Sequence, residues 1–243
     1  MNFKAGKVYI VGAGLGDADY LTVRSQKLIQ SAEILIYDAL VDRSILDWVP
    51  PNCVQLNVGK RGGQPSTPQA EINRLIVNYC QQGYIVVRLK GGDPFIFGRT
   101  SPEIQALIAA DCAFEVIPGI SSALAAPLLA AIPLTDTVMS NCFAVMTAHD
   151  PQALDWQRIS QIDTLVMLMG GRNLAEIVHQ LQRHERSSHT PIAIIRSGGR
   201  PTQQVWVGTL NDIVRKTADR ILSPCVIVVG EVVRLREFLK TSE

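Results

Sequence analysis

The feature that most constrains the fold of this 243-residue chain is an alternation that runs twice along it. Short β-branched runs bounded by Gly, Pro or Asp recur at 8–11 (VYIV), 34–37 (ILIY), 54–58 (VQLNV), 85–90 (IVVRLK) and 114–117 (FEVI), and helical patterns separate most of them. The clearest helix spans 68–82. There Ile72, Leu75, Ile76 and Tyr79 share one face, Thr67 stands as N-cap, Pro68 suits the first turn and Gly83 the C-terminal stop. After Pro118-Gly119 the alternation starts again, with strands at 143–147, 164–169, 192–196, 204–207 and 226–230 and helices near 120–131, 173–184 and 209–217. Near-continuous Val/Ile/Leu strands alternating with helices predict sheets covered on both faces and largely parallel. The expected fold class is α/β with two α/β domains, 1–118 and 119–243, each long enough to bury its own core.

Composition excludes several classes of function. With Lys+Arg 23 against Asp+Glu 22, the chain carries no global field to draw it to nucleic acid or a membrane surface, so any basic site is local. The five cysteines are far apart and never in CxxC spacing, and His179, His184 and His189 show no ligand spacing. Neither a disulfide framework nor a metal site is expected, and a reducing cytosol fits. The longest apolar run, 123–134, is too short to span a bilayer and is interrupted by Pro127 and Pro133. The N-terminus runs straight into a strand, without the apolar core and cleavage site of a signal peptide. A cytoplasmic location is expected, with no membrane partner and no nucleic-acid partner.

Two glycine loops follow strands. VYIVGAGLGD (8–17) places Gly12, Gly14 and Gly16 after the first strand, with Asp38 at the end of the next. That invites a dinucleotide-binding reading, but Asp17 stands where the third glycine should be and Asp19 adds a second negative charge where a pyrophosphate would meet a helix N-terminus. A single-domain methyltransferase loop, with Asp38 on a ribose, and a purely structural turn both remain open on these residues. The second loop, in IVVRLKGGDPFIFGR (85–99), is more specific. Gly91 and Gly92 let backbone approach a flat ligand, and Pro94 biases Asp93 toward an extended conformation from which its carboxylate can meet an ammonium group. A strand-ending turn accounts for Gly-Gly-Asp-Pro taken alone.

These loops do not stand alone. GAGLGD (12–17), YDALV (37–41), VGKRGGQPSTPQAEIN (58–73), LKGGDPFIFGR (89–99), PGISSALAA (118–126), IPLT (132–135) and GEVVRLR (230–236) together resemble the uroporphyrinogen-III C-methyltransferases, a family of S-adenosylmethionine-dependent tetrapyrrole methylases. The resemblance runs in order from about residue 7 to 238. It implies the tetrapyrrole methylase (class III methyltransferase) fold, with S-adenosylmethionine in a cleft between two α/β domains, no metal, and a homodimer. The implied activity is transfer of two methyl groups to ring carbons of uroporphyrinogen III, giving precorrin-2 and S-adenosylhomocysteine on the way to sirohaem or cobalamin. A methylase acting later on a corrin ring is the runner-up, for which VGKRGG would be unexpected.

Carried over residue by residue, the resemblance assigns the methyl donor to Leu15, Gly91, Gly92, Asp93 and Ile96, with Ser121, Ser122, Met169 and Gly198 completing that site from the second domain. It makes Asp38 the proton acceptor and Lys60 the proton donor. The basic residues of the same loops, Arg61, Arg88, Lys90 and Arg99, are expected to meet the substrate's carboxylates, because buried carboxylates must be paired, with about half of the basic side chains in these loops serving instead as structural ion pairs. Some departures fall on this pattern. Leu15 stands where proline is usual, Ser121-Ser122 replaces Thr-Ala, Ala148 replaces a glycine, Gly199 stands where threonine is usual, and TSPE (100–103) replaces Gly-Gly-Glu-Glu.

Overall fold

In the computed structural model, residues 6–59 and 67–240 are described. The chain divides into two compact units, Met1–Ser121 and Ser122–Glu243. The first contains β1 (Lys7–Gly12), α1 (Val23–Ile29), β2 (Ile34–Tyr37), α2 (Arg43–Leu46), β3 (Val54–Asn57), α3 (Gln69–Gln81), β4 (Ile85–Lys90), α4 (Thr100–Ala109) and β5 (Ala113–Ile117). The second contains α5 (Ser122–Leu129), β6 (Phe143–Thr147), α6 (Trp156–Ile159), β7 (Thr164–Leu168), α7 (Leu174–Arg183), β8 (Pro191–Arg196), β9 (Gln204–Thr209), α8 (Ile213–Lys216), β10 (Cys225–Val229) and α9 (Arg236–Leu239).

In the first unit the sheet order is β3-β2-β4-β1-β5, and every pairing is parallel. The two-residue period of a strand divides its side chains between the faces. Val11, Leu35, Tyr37, Val87 and Leu89 pack with Ile29 and Ile45 beside α1 and α2. Val8, Ile10, Ile34, Ile36 and Val86 pack with Ile72 and Ile76 of α3 and Leu107 of α4. Removing one such side chain from water is worth roughly 1.5–3 kcal/mol, so these two layers supply the unit's stability. The same period sends Arg88 and Lys90 toward α3 and α4. The chain leaves β1 toward β2 and leaves its neighbour β4 toward β5 on the opposite side, so the winding reverses between β1 and β4. Loops at the carboxyl ends of such a strand pair form the customary ligand crevice of an open parallel sheet.

One local expectation shifts. Pro68 takes an extended ψ of 143° and occupies the N-cap position of α3, which has no side-chain cap. Proline fixes φ and leaves ψ free, so the helix starts one residue later than its Thr67 cap signal implies.

The second unit departs from the expectation of a largely parallel sheet. Its order is β6-β7-β10-β8-β9. Only β6 and β7 pair in parallel, while β10 is antiparallel to both β7 and β8, and β8 is antiparallel to β9. The seven residues between β8 and β9 are too few for a crossover, which fixes that pair as antiparallel. β10 reads as continuous apolar sequence because it lies mid-sheet with helices on both faces, and burial alone carries no strand direction. One face packs Ile177, Val178 and Leu181 of α7 and Ile213 of α8. The other packs Ala123 and Ala126 of α5 with Val232 and Val233. Among the described residues, no helix is long and apolar enough to cross a membrane.

Candidate active site

The loops after β1 and β4 are joined at the point where the winding reverses. Gly14 N–H donates to Gly92 O at 3.2 Å, Gly92 N–H donates to Gly14 O at 2.8 Å, and Ala13 N–H donates to Lys90 O at 2.7 Å. Gly12 owes its identity to this junction. A Cβ there would lie 2.5 Å from Gly119 Cα and 2.7 Å from Gly92 O, both backbone. Asp17 accepts the Asp19 N–H and caps a short 3₁₀ turn, so its carboxylate occupies the end where a phosphate would be held. The dinucleotide reading therefore has no cradle in this loop. Leu15 follows Gly14 and is nearly buried.

Gly91 differs from Gly12. The nearest atom to a Cβ at Gly91 would be Leu40 Cβ, 3.7 Å away, an ordinary contact, so the fold itself does not require glycine at this position. Gly92 has φ +70°, a conformation in which glycine alone is unstrained. Asp93 Oδ1 accepts Phe95 N–H at 2.9 Å and its Oδ2 accepts Gly119 N–H at 3.1 Å. Each oxygen keeps a lone pair, so the carboxylate, fixed by two backbone donors, can still accept from a ligand. The Thr100 hydroxyl donates to Pro94 O and ties the loop to α4. Between these anchors Phe95, Ile96, Phe97 and Arg99 are exposed, and Phe97 and Arg99 hold φ of 53° and 52°. Left-handed backbone at side-chain-bearing residues costs energy and concentrates at functional loops.

Asp38, one residue beyond β2, lies on the same face as Ile34 and Ile36. Its Oδ1 accepts from Arg88 Nη2 at 2.6 Å, and its side chain is 33% exposed. Behind it, Arg88 Nε and Lys90 Nζ donate to the two oxygens of Glu103, at 3.0 and 2.8 Å. Glu103 comes from the first turn of α4 and is fully buried, and the Arg88 and Lys90 side chains are only 3% exposed. Burial alone would lower the Arg88 pKa. The Asp38 and Glu103 carboxylates more than offset it, leaving the guanidinium above its ordinary value. For Lys90, burial and then the Arg88 charge prevail over Glu103, and its pKa lies below that of an ordinary lysine. Of the cations expected to face substrate carboxylates, these two are committed to carboxylates of the chain itself, the structural role expected for about half of the basic residues in these loops. The physical reason is their parity in β4, which turns them under α3 and α4. Removing one member of a buried ion pair typically costs about 3–5 kcal/mol, so this arrangement is firmly held. Arg99 is the exposed cation among the basic site residues described. Lys60 and Arg61 lie outside the described residues.

In the second unit, β6, β7 and β8 run in one direction, so the segments that follow them share a sheet edge. Met169, after β7, is half-exposed with φ 59°, and Ser197, after β8, has φ 51°. A Cβ on Gly198 would meet Ala126 Cβ at 2.6 Å, so close packing of this loop on α5 accounts for the glycine. Ser121, expected in the second domain, is almost buried and is the last residue of the first unit, whereas Ser122 is the first residue of α5 and of the second unit. His149 is exposed, and Asn173 Nδ2 donates to the carbonyls of Ala148 and His149 at 2.9 and 3.0 Å. Among the described residues no group of His, Cys, Asp and Glu is arranged to hold a metal ion.

Glu103 is the residue that sequence reasoning missed. Two cations at alternate positions of an otherwise apolar strand signal a need for carboxylate partners, but which acidic residue supplies them is decided by the packing of α4 against β4.

Comparison with known proteins places this geometry. Residues 7–214 match the family model described as Tetrapyrrole (Corrin/Porphyrin) Methylases. The chain is 56% identical over 233 residues to the uroporphyrinogen-III C-methyltransferase of Synechococcus elongatus, covering 96% of each chain. It is 42% identical over 246 residues to the S-adenosyl-L-methionine-dependent uroporphyrinogen III methyltransferase of Methanosarcina barkeri, covering 98% of this chain and 96% of that one. Among solved structures, it is similar to the uroporphyrin-III C-methyl transferase of Thermus thermophilus complexed with S-adenyl homocysteine. That match has a TM-score of 0.82 and 31% identity and covers 95% of this chain and 100% of that one. A parallel sheet whose β1 and β4 loops are joined by paired glycines, and a family match over most of the length, lead to one conclusion: the chain belongs to the tetrapyrrole methylases.

Proposed function

We propose that this protein is the enzyme that transfers two methyl groups from S-adenosylmethionine to ring carbons of uroporphyrinogen III, releasing precorrin-2 and two molecules of S-adenosylhomocysteine. The observation that carries the reading is the 56% identity, over 96% of both chains, to an enzyme of that name. The bound S-adenyl homocysteine of the Thermus structure supports the donor assignment.

Bound S-adenosylmethionine supplies an electrophilic methyl group already activated by its sulfonium charge. A pyrrole carbon forms the new C–C bond as the S–CH₃ bond breaks, and the sulfur keeps that electron pair. The methylated ring is then cationic and must lose a proton. Asp38 accepts that proton, being a carboxylate held by Arg88 on one oxygen and partly exposed. Lys60 is assigned as proton donor by family pattern. Gly91 leaves room for a flat ligand against the backbone, and Asp93 presents a fixed carboxylate to the donor's ammonium. Gly92, Ile96 and Leu15 in the first unit, and Ser121, Ser122, Met169 and Gly198, complete the proposed donor contacts. Arg99 meets substrate carboxylates beside exposed Phe95 and Phe97, and Arg61 shares that role. Arg88 and Lys90 act behind Asp38. The proposed assembly is a homodimer in the cytosol, with no nucleic-acid or membrane partner.

The test is anaerobic incubation of the protein with uroporphyrinogen III and S-adenosylmethionine, followed by oxidation and mass spectrometry. A product heavier by two methyl groups is expected, together with loss of turnover in Asp38→Asn at little-changed S-adenosylhomocysteine affinity. Methylation of RNA without methylation of the tetrapyrrole would sink the reading.

A further inference from the structure

Glu103 has no place in the chemistry above, yet the geometry ties it to the group that has. Its Oε1 holds Arg88 Nε at 3.0 Å and its Oε2 holds Lys90 Nζ at 2.8 Å. Arg88 Nη1 donates to Leu89 O at 3.2 Å and Nη2 to Asp38 Oδ1 at 2.6 Å. Every nitrogen of the guanidinium therefore has a partner, and the group cannot turn away from Asp38. Gln69 of α3, itself bonded to Asn73, lies 3.5 Å from Glu103 Oε1. The charged groups facing this cluster among the described residues are Arg88 and Lys90 from β4, Glu103 from α4 and Asp38 beyond β2. Two cations match two carboxylates, and only the Asp38 end reaches solvent.

We infer that Glu103 is a positioning residue for the methylation chemistry: by clamping Arg88 and Lys90 it fixes the Arg88 guanidinium on Asp38 and sets how readily Asp38 accepts a proton. The inference rests on the reading of Asp38 as proton acceptor. A structural staple between α4 and β4 would have the same contacts and a different consequence. A staple governs whether the protein folds, whereas a positioning role also makes the working pH range depend on the sign of the charge removed.

The experiment measures single-turnover methylation of uroporphyrinogen III against pH for the parent, Glu103→Gln, Lys90→Met, the double variant and Asp38→Asn. Removing the Glu103 charge leaves the cluster with excess positive charge, which favours ionised Asp38, so the acidic limb of the profile is expected to move to lower pH. Removing the Lys90 charge leaves excess negative charge and moves the limb to higher pH, each shift being about one pH unit. The double variant restores charge balance and returns the limb to near the parental position. Limbs that stay put in both single variants, or that move in the same direction, overturn the role of Glu103. Should Glu103→Gln fail to fold, Lys90→Met decides alone, since Arg88 still partners Glu103: a limb shifted upward supports the role and an unmoved limb overturns it. If Asp38→Asn turns over as fast as the parent, the reading of Asp38 fails instead, and the inference falls with it.

Discussion

Gly12 ends β1 and Gly91 follows β4 at the same junction, but they are glycine for opposite reasons. A methyl group on Gly12 would collide with the backbone of Gly119 and Gly92, neither of which can give way. Gly12→Ala is therefore expected to cost about 3 kcal/mol or more in urea unfolding, the range of severe overpacking. Gly91→Ala meets only an ordinary contact with Leu40, so its unfolding midpoint should match the parent's. If Gly91 is glycine to admit the methyl donor, isothermal titration should show that variant binding S-adenosylhomocysteine at least tenfold more weakly. Undiminished affinity would remove Gly91 from the donor site. Both glycines stand out in the sequence after strands. Which of them serves a ligand was not legible there, because the difference lies in what the folded chain brings to within 3 Å of the missing Cβ.

At the scale of elements, the turn from β9 into α8 shows how a single carboxylate organises a connection. Asp212 Oδ1 accepts Thr209 N–H at 2.8 Å and its Oδ2 pairs with Lys216 at 2.8 Å, one helical turn ahead. Lys216 first, then the Thr209 N–H, hold the Asp212 pKa below the ordinary aspartate value. A carboxylate depressed in the folded state contributes stability above its unfolded pKa and loses it as pH falls through the folded one. Asp212→Asn is thus expected to lower unfolding free energy at pH 7 by about 0.5–1 kcal/mol, with the gap from the parent closing at pH below the usual aspartate range. Denaturation at pH 7 and at pH 3 checks both parts. The strands themselves were legible from sequence to within one or two residues, since burial on both faces writes an unbroken apolar run. Strand direction in the second sheet was not. An apolar run reads the same whether its neighbour is parallel or antiparallel, and only the short β8–β9 connection betrayed one of the pairings.

For the whole molecule, described residues of each unit form hydrophobic layers on both faces of that unit's own sheet. What it leaves uncovered is specific. Leu124 and Leu128, one turn apart on α5, are exposed, at 72% for Leu128. Paired exposed leucines on a helix otherwise packed by alanines are compatible with the proposed homodimer. Light scattering after gel filtration is expected to give twice the 26.6 kDa of one chain, and a monomer mass at micromolar concentration would refute the homodimer.

By itself the sequence determined the α/β class, the strands, the helix over α3 and the loops that mark a tetrapyrrole methylase. These are local or periodic properties, written in spacing and in the residue types that turns require. Tertiary structure alone decided what the charged residues of β4 do. Arg88 and Lys90 look like ligand-facing cations when read in line beside Gly91. In the folded chain the strand's parity turns them inward, and α4 brings Glu103 across an interval of thirteen to fifteen residues to meet them. A charge is bound by whatever lies nearest in space, and proximity in space is the one thing that a linear pattern of residues does not record.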